Sequence, residues 1–222
     1  VVHLACGPGN SPALIASRYA NANVLGVDSD DAMLAQAHAA NVNARFEVGD
    51  FETWAPRDAP DLIYSNAALH WAADPLAVAT RLFQALAPGG VLALQVPLNF
   101  DKPSHVEMRA AAQDGPWSAK LAGIFQPLLL SGEDYARALA PFDANLDVWS
   151  TAYLHVLEGA DPVLKWISGS ALRPYFARLN AEERASFEAS LAVRLRRAYP
   201  PENDGRTYFP FHRLFVVAVQ SK

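Results

Sequence analysis

The sequence predicts an α/β fold built around a mostly parallel β-sheet, and two observations support this class. In the first half of the chain, short apolar segments alternate with helical patterns, which is the order of consecutive β-α-β units. The chain has 222 residues, of which 51% are hydrophobic and 18% charged, so it can bury a sizeable core. We therefore expect a single domain over residues 1–222, with helices inserted in its second half.

The elements of the first half follow from apolar periodicity and helix caps. The first connecting helix should begin with Ser11 as its N-cap and Pro12 in the first helical position. The second should span residues 30–40, and the third should begin at Asp74 and Pro75. The five parallel strands are predicted at residues 1–5, 23–27, 45–48, 61–65 and 91–96.

The regular alternation of predicted strands and helices ends at residue 97. Loops and helices are expected between about 101 and 141, and two long strands at 146–157 and 208–219. Between these strands we expect a helix that starts at Pro162 and another that starts after residue 180. Asn180 and Glu183 have the spacing of a capping box at the start of that last helix.

Composition excludes several classes of function. A formal net charge of −5 argues against a nucleic-acid binder, which needs a basic surface. No apolar run reaches the roughly 18 residues of a membrane span, and histidine and cysteine spacing indicates no metal site. With Cys6 alone no internal disulfide is possible, so the cytoplasm is the expected compartment. Because the chain opens inside an apolar strand, we expect an N-terminal portion to precede it.

Glycines and acidic residues follow the predicted strands. Gly7 and Gly9 lie in the turn after the first strand. They either allow a tight turn only or also let a ligand approach the backbone closely. Asp28 follows the second strand, 19 residues after Gly9, the spacing of a carboxylate that binds ribose hydroxyls. Asp50 follows the third strand and precedes Phe51, a pair suited to an adenine ring. Each acid alone could be a helix cap, but together they favour an adenosine site.

The turn lacks the third glycine typical of pyrophosphate-binding dehydrogenases, because Pro12 stands there. The chain resembles the class I S-adenosylmethionine-dependent methyltransferases, which have a Rossmann-like fold. The resemblance implies a seven-stranded sheet with an antiparallel last strand and helical insertions after strands 5 and 6. It also implies a helix before the first strand, a cofactor-binding half at 1–97 and a substrate-side half at 98–222. The segments that carry it are residues 6–11, 26–29, 61–71, 88–92, 103–109, 153–159, 172–175 and 209–215.

By this resemblance the cofactor is S-adenosylmethionine, and the residues that bind it follow the first four strands. They are Gly7, Gly9, Asn10, Asp28, Ser29, Asp50, Phe51 and Asn66. The chain departs from the family at His3, where an acidic residue is usual, and at Ala5, where glycine is usual. The alternative function is therefore a non-catalytic or impaired binding module with this fold.

The resemblance further implies methylation of a small polycarboxylate, with trans-aconitate as the expected acceptor and another small carboxylic acid as the alternative. Carboxyl groups have pKa values of about 4 and are ionised near neutral pH, so the reaction needs no catalytic base. Proximity and orientation supply the acceleration. We expect a monomer with no nucleic-acid or membrane partner. The residues expected to bind the acceptor are His105, Arg109, Tyr153, His155, Arg173 and Arg213.

Overall fold

A seven-stranded sheet organises the protein, in a computed structural model that describes residues 1–40 and 42–221. The strand order is β3-β2-β1-β4-β5-β7-β6, with parallel pairing from β3 through β5. This order confirms the predicted Rossmann-like class. The strands are β1 Val2–Leu4, β2 Leu25–Asp28, β3 Arg45–Val48, β4 Leu62–Asn66, β5 Val91–Pro97, β6 Asn145–Leu157 and β7 Thr207–Val219.

The last strand runs antiparallel to its neighbour, as expected. The Leu98 amide donates to the His212 carbonyl at 2.9 Å, and the Gln220 amide donates to the Gly90 carbonyl at 2.9 Å. Residue numbers therefore rise along β5 while they fall along β7, which is the antiparallel arrangement.

Helices connect the parallel strands and then form the two insertions. Those of the parallel part are α1 Asn10–Arg18, α2 Asp31–Ala39 and α3 Pro75–Gln84. The insertion after β5 contains α4 Pro103–Gln113, α5 Ser118–Leu121 and α6 Gly132–Leu139. The insertion after β6 contains α7 Pro162–Ser168, α8 Arg173–Phe176 and α9 Ala181–Ala198. In the described part of the chain, no helix is both long enough and apolar enough to cross a bilayer.

Two helix starts show how well local chemistry predicts structure. Asn180 and Glu183 form the expected capping box at α9, each side chain bonding the other's backbone amide. The prediction for α1 is wrong by two residues, because Ser11 and Pro12 lie inside the helix and Gly9 is its N-cap. Gly9 has φ +88°, a left-handed conformation that lets the chain enter the helix directly from the turn.

The residues divide into two compact units. The first contains Val1–Pro97, Leu130–Ser150 and the chain from Leu214 onward, and the second contains Leu98–Leu129 and Thr151–Arg213. Each has its own apolar interior. The single domain expected over 1–222 stays a prediction.

The first unit buries the central strands against helices. Leu4, Val27, Ile63 and Leu92 of the sheet have no exposed surface. α3 adds a buried face at helical spacing, including Leu82, so the α/β pattern of the sequence arises from side chains that are removed from water on the sheet.

The core of the second unit is helical and aromatic. Trp117, Phe187 and Phe209 are buried in it together with Leu172 and Leu191. The indole N–H of Trp117 donates to the Ala111 carbonyl at 2.8 Å, which satisfies its polar atom in this core. This fixes α4, where Ala111 lies, relative to the segment that leads into α5.

The long strands β6 and β7 change their buried side in mid-course. In β7 the buried residues are odd-numbered at Thr207 and Phe209, and even-numbered from Leu214 to Ala218. In β6 the less exposed residues are even-numbered before Ser150 and odd-numbered from Thr151. Both changes coincide with the boundary between the units. Because successive strand residues point to opposite faces, each unit uses a different set of side chains from the same strand.

Candidate active site

The turn between β1 and α1 contains two glycines in left-handed conformations. Gly7 and Gly9 have φ values of +56° and +88°. A Cβ on Gly9 would lie 3.0 Å from the Cβ of Ala37 and 3.3 Å from the Phe46 ring, so no side chain fits there. The Cys6 amide donates to the Val27 carbonyl at 3.0 Å, which ties the turn to β2. The backbone is thus presented without side chains next to a helix N-terminus.

Asp28 at the end of β2 holds this turn in place. Its Oδ2 accepts a hydrogen bond from the Gly7 amide at 2.7 Å, and its Oδ1 accepts from the Asp30 amide at 2.9 Å. A carboxylate oxygen has two acceptor sites, so each oxygen retains one for an outside donor. Asp28 is half-buried, and it can both fix the glycine turn and bind a pair of hydroxyl groups.

The loop after β3 carries Asp50 and Phe51. Asp50 is exposed, and its Oδ1 accepts from the Glu52 amide at 2.9 Å. The Arg81 guanidinium, from α3, donates to the carbonyls of Phe51 at 2.8 Å and Glu52 at 3.1 Å and also to that of Trp54. Arg81 therefore fixes the loop after β3, a role that sequence reasoning missed because thirty residues separate it from Phe51.

The remaining predicted cofactor residues also lie at or just after the carboxyl ends of the parallel strands. Asn66 is the last residue of β4 and is half-buried, Ser29 follows Asp28, and Asn10 is the exposed first residue of α1. All eight belong to the first unit. They follow β1, β2, β3 and β4, neighbours in the sheet, and ligands of open α/β sheets bind at the carboxyl ends of such strands.

The two departures from the family lie beside this turn. His3 is 3% exposed, and neither ring nitrogen has a hydrogen-bond partner in the described residues. Burial lowers the pKa of His3 to about 4, although the Asp28 carboxylate opposes this, so the ring is neutral at neutral pH. Ala5 has φ +54°, a left-handed conformation that is strained for a residue with a Cβ. Glycine would relieve that strain.

Three of the expected acceptor residues come together in the second unit. The rings of Tyr153 and His155 lie on one side of β6 with centroids 6.3 Å apart and 15° between their planes. The Arg213 guanidinium lies 5.8 Å from the Tyr153 ring and 5.0 Å from the Phe211 ring. Burial, and then the charge of Arg213, lower the pKa of His155. Arg213 is half-buried.

His105 and Arg109 share one face of α4, four residues apart. His105 is buried edge-on against Phe100, and its Nδ1 lies 3.2 Å from the Ser104 hydroxyl. Burial and the Arg109 charge lower the pKa of His105 to about 4, while Asp101 raises it.

Arg109 also lines a cavity of about 550 Å³ within the second unit, together with Gln126 and Tyr175. Sequence reasoning missed both of these residues as parts of a site, although Tyr175 stands in the family-specific segment 172–175. Arg173, the sixth candidate, is exposed at the start of α8.

Comparison with curated proteins decides the family. The chain is 47% identical over 221 residues to the trans-aconitate 2-methyltransferase of Variovorax paradoxus (strain S110), covering 98% of this chain and 85% of that protein. This chain belongs to the trans-aconitate 2-methyltransferase family. The family member of Agrobacterium fabrum is 42% identical over 219 residues, covering 98% and 86%. A family model described as "Methyltransferase domain" matches residues 1–90. The predicted class is confirmed.

Solved structures support the fold of the family. The YcgJ protein of Bacillus subtilis superposes with a TM-score of 0.64 at 15% identity, covering 100% of this chain and 91% of that one. A putative sarcosine dimethylglycine methyltransferase of Galdieria sulphuraria has a TM-score of 0.59 at 14% identity, covering 99% and 77%. At these identities the similarity shows the fold alone.

Proposed function

We propose that this protein transfers the methyl group of S-adenosylmethionine to a carboxylate of trans-aconitate and forms a monomethyl ester. The observation that carries the proposal is the glycine turn fixed by Asp28, in a chain that belongs to the trans-aconitate 2-methyltransferase family. The alternatives of a non-catalytic module or of another acid as acceptor rest on no comparable observation.

The first unit offers a set of groups that fits S-adenosylmethionine. A Cβ at Gly7 would enter open space, so the absence of a side chain there leaves room for the methionine part. Asn66 is suited to the same part through its backbone. Asp28 has acceptor sites left for the ribose hydroxyls. The full set of proposed cofactor residues is Gly7, Gly9, Asn10, Asp28, Ser29, Asp50, Phe51 and Asn66.

When bound, the cofactor supplies a methyl group on a positively charged sulfur. Gly7, Gly9 and Asp28 would hold this cofactor, whose sulfonium would supply the methyl group and leave as a neutral sulfide when the acceptor carboxylate is esterified. No proton moves, because the acceptor is already ionised at neutral pH. The protein therefore needs no catalytic acid or base. The protein instead holds the acceptor carboxylate in line with the methyl group and excludes water. These effects lower the activation free energy by several kcal/mol.

Cationic and hydroxyl donors of the second unit are proposed to bind the carboxylates that do not react. Arginine is suited to this because its planar guanidinium binds a carboxylate through two hydrogen bonds. In the described residues, the guanidinium groups of Arg109 and Arg173 form no ion pair with a carboxylate, whereas those of Arg194 and Arg196 do. The full set of proposed acceptor residues is His105, Arg109, Tyr153, His155, Arg173 and Arg213.

The setting of the reaction follows from composition. The proposed partner is a small polycarboxylate, and the net charge of −5 makes nucleic acid an unsuitable one. We also propose that the protein is a monomer. We propose the cytoplasm as its compartment, since a chain with the single cysteine Cys6 forms no internal disulfide.

Two measurements on the purified protein test this function. Incubation with S-adenosylmethionine and a panel of di- and tricarboxylates should give a monomethyl ester of trans-aconitate, detected by mass spectrometry. Calorimetry with S-adenosylhomocysteine should show binding. If no binding is seen at millimolar S-adenosylhomocysteine, the proposed methyltransferase activity is excluded. The variant His3→Asp examines the binding-module alternative, since a large gain in cofactor affinity would mean that the neutral histidine impairs the site.

A further inference from the structure

We propose that the 550 Å³ cavity of the second unit binds a non-reacting carboxylate of the acceptor, and that Tyr175, oriented by Gln126, determines specificity there. The inference rests on the proposed function and names one subsite of it. The cavity lies within the volume range of small-molecule sites, about 300–1,000 Å³.

The charge of the cavity favours an anion. Arg109 supplies a positive charge, and none of the residues that line the cavity is acidic. Ser118 and Tyr175 add hydroxyl groups, while residues such as Leu121 and Ile124 form apolar walls. In a chain with a net charge of −5, this cavity combines a cation free of ion pairs in the described residues with neutral donors. A carboxylate is the ligand that such donors recognise.

The hydrogen bonds of Gln126 direct the Tyr175 hydroxyl proton away from the Gln126 side chain. The Gln126 amide nitrogen lies 3.3 Å from the Ile124 carbonyl, which can only accept, so the nitrogen faces that side. The same nitrogen donates to the Tyr175 hydroxyl oxygen at 3.0 Å. The hydroxyl of Tyr175 therefore accepts from Gln126, and its own proton is directed elsewhere.

Tyr175 is itself fixed and uncharged. It is 2% exposed, and its ring stacks on Phe187 at 6.0 Å with 9° between the planes. Burial raises the pKa of Tyr175, which keeps the hydroxyl protonated and able to donate. A donor held in this way loses little conformational freedom when it binds a carboxylate, which is the requirement for a specificity residue.

The first test removes single donors. Tyr175→Phe keeps the stacked ring and should raise both the KM and the calorimetric Kd for trans-aconitate about tenfold, because a hydrogen bond to a charged group is lost. Arg109→Met should raise them about 100-fold. The kcat and the Kd for S-adenosylhomocysteine should change little, since the lost contact is common to substrate and transition state. Tyr135→Phe and Arg197→Met, which alter a buried tyrosine and an exposed arginine elsewhere, should leave all four values unchanged.

The second test reverses one hydrogen bond. Gln126→Glu has nearly the same shape, but its carboxylate accepts a hydrogen bond from the Tyr175 hydroxyl and repels an anion, so it should raise the KM more than Gln126→Met does. Preference for trans-aconitate over the monocarboxylic acid crotonate, as a ratio of kcat/KM values, should fall in every donor variant. An unchanged ratio and KM in Tyr175→Phe and Gln126→Glu would overturn the inference and leave the proposed function standing. If the wild-type enzyme methylates no acid, the proposed function fails, and calorimetry with trans-aconitate still decides whether the cavity binds it.

Discussion

Replacing Asp28 with Asn should weaken both the glycine turn and cofactor binding. The carboxylate now accepts hydrogen bonds from the amides of Gly7 at 2.7 Å and Asp30 at 2.9 Å. An asparagine amide has one acceptor oxygen, so one backbone N–H would face the NH₂ group. A hydrogen bond to a charged group contributes about 1.5–3 kcal/mol, and half-burial places this one at the lower limit, about 1.5 kcal/mol. The melting temperature should then fall by about 3–6 °C.

The same substitution removes the charge that would accept the ribose hydroxyls. Losing about 1.4 kcal/mol per hydrogen bond raises the Kd about tenfold for one bond and 100-fold for two. Calorimetry with S-adenosylhomocysteine measures this Kd, and thermal unfolding measures the stability. Asp74→Asn is the matched control, because Asp74 is a helix N-cap, a position where Asn serves equally well. Wild-type affinity in Asp28→Asn would refute the role given to this carboxylate.

Three further predictions follow from the same geometry. Gly9→Ala would place a Cβ at φ +88° and 3.0 Å from the Cβ of Ala37, so it should lower the free energy of unfolding by about 1–3 kcal/mol and weaken cofactor binding; normal stability would contradict the contact. Burial lowers the pKa of His3 and His105 from 6.5 to about 4, so the unfolded chain takes up these protons first as pH falls. Stability in urea should then fall between about pH 6.5 and 4, by at most about 1.4 kcal/mol per pH unit for each histidine, with a shallower slope in His3→Gln. Arg213→Ala should raise the KM for the acceptor and leave the cofactor Kd unchanged; equal loss of both would mean a structural role.

The parts of the fold that depend on neighbouring residues were predictable from sequence. The alternation of strands and helices, and the capping box of Asn180 and Glu183, need only local periodicity and a three-residue spacing. The position of Asp28 at the end of β2 followed for the same reason. The start of α1 was not predicted from sequence. Ser11 and Pro12 favour a helix start at their own positions, but the left-handed conformation of Gly9 starts the helix two residues earlier.

Contacts between distant segments explain the rest. Arg81 reaches the loop at Phe51 across thirty residues, and Gln126 contacts Tyr175 across 49 residues. No local pattern marks such partners, since their pairing depends on how helices pack. The family resemblance drew attention to the segment containing Tyr175, but the orientation of its hydroxyl follows only from the donor that contacts it.

The change of buried side in β6 and β7 constrains how this chain can vary in length. Removing one residue near Ser150 or Arg213 would invert the alternation of everything beyond it, so one unit would turn apolar side chains toward water. At these two positions, insertion or deletion of two residues should therefore be tolerated and that of one residue should not. Loops such as residues 201–206 have no such requirement for an even number. The spacing between the halves of each strand is thus as strictly specified as any side chain in the site.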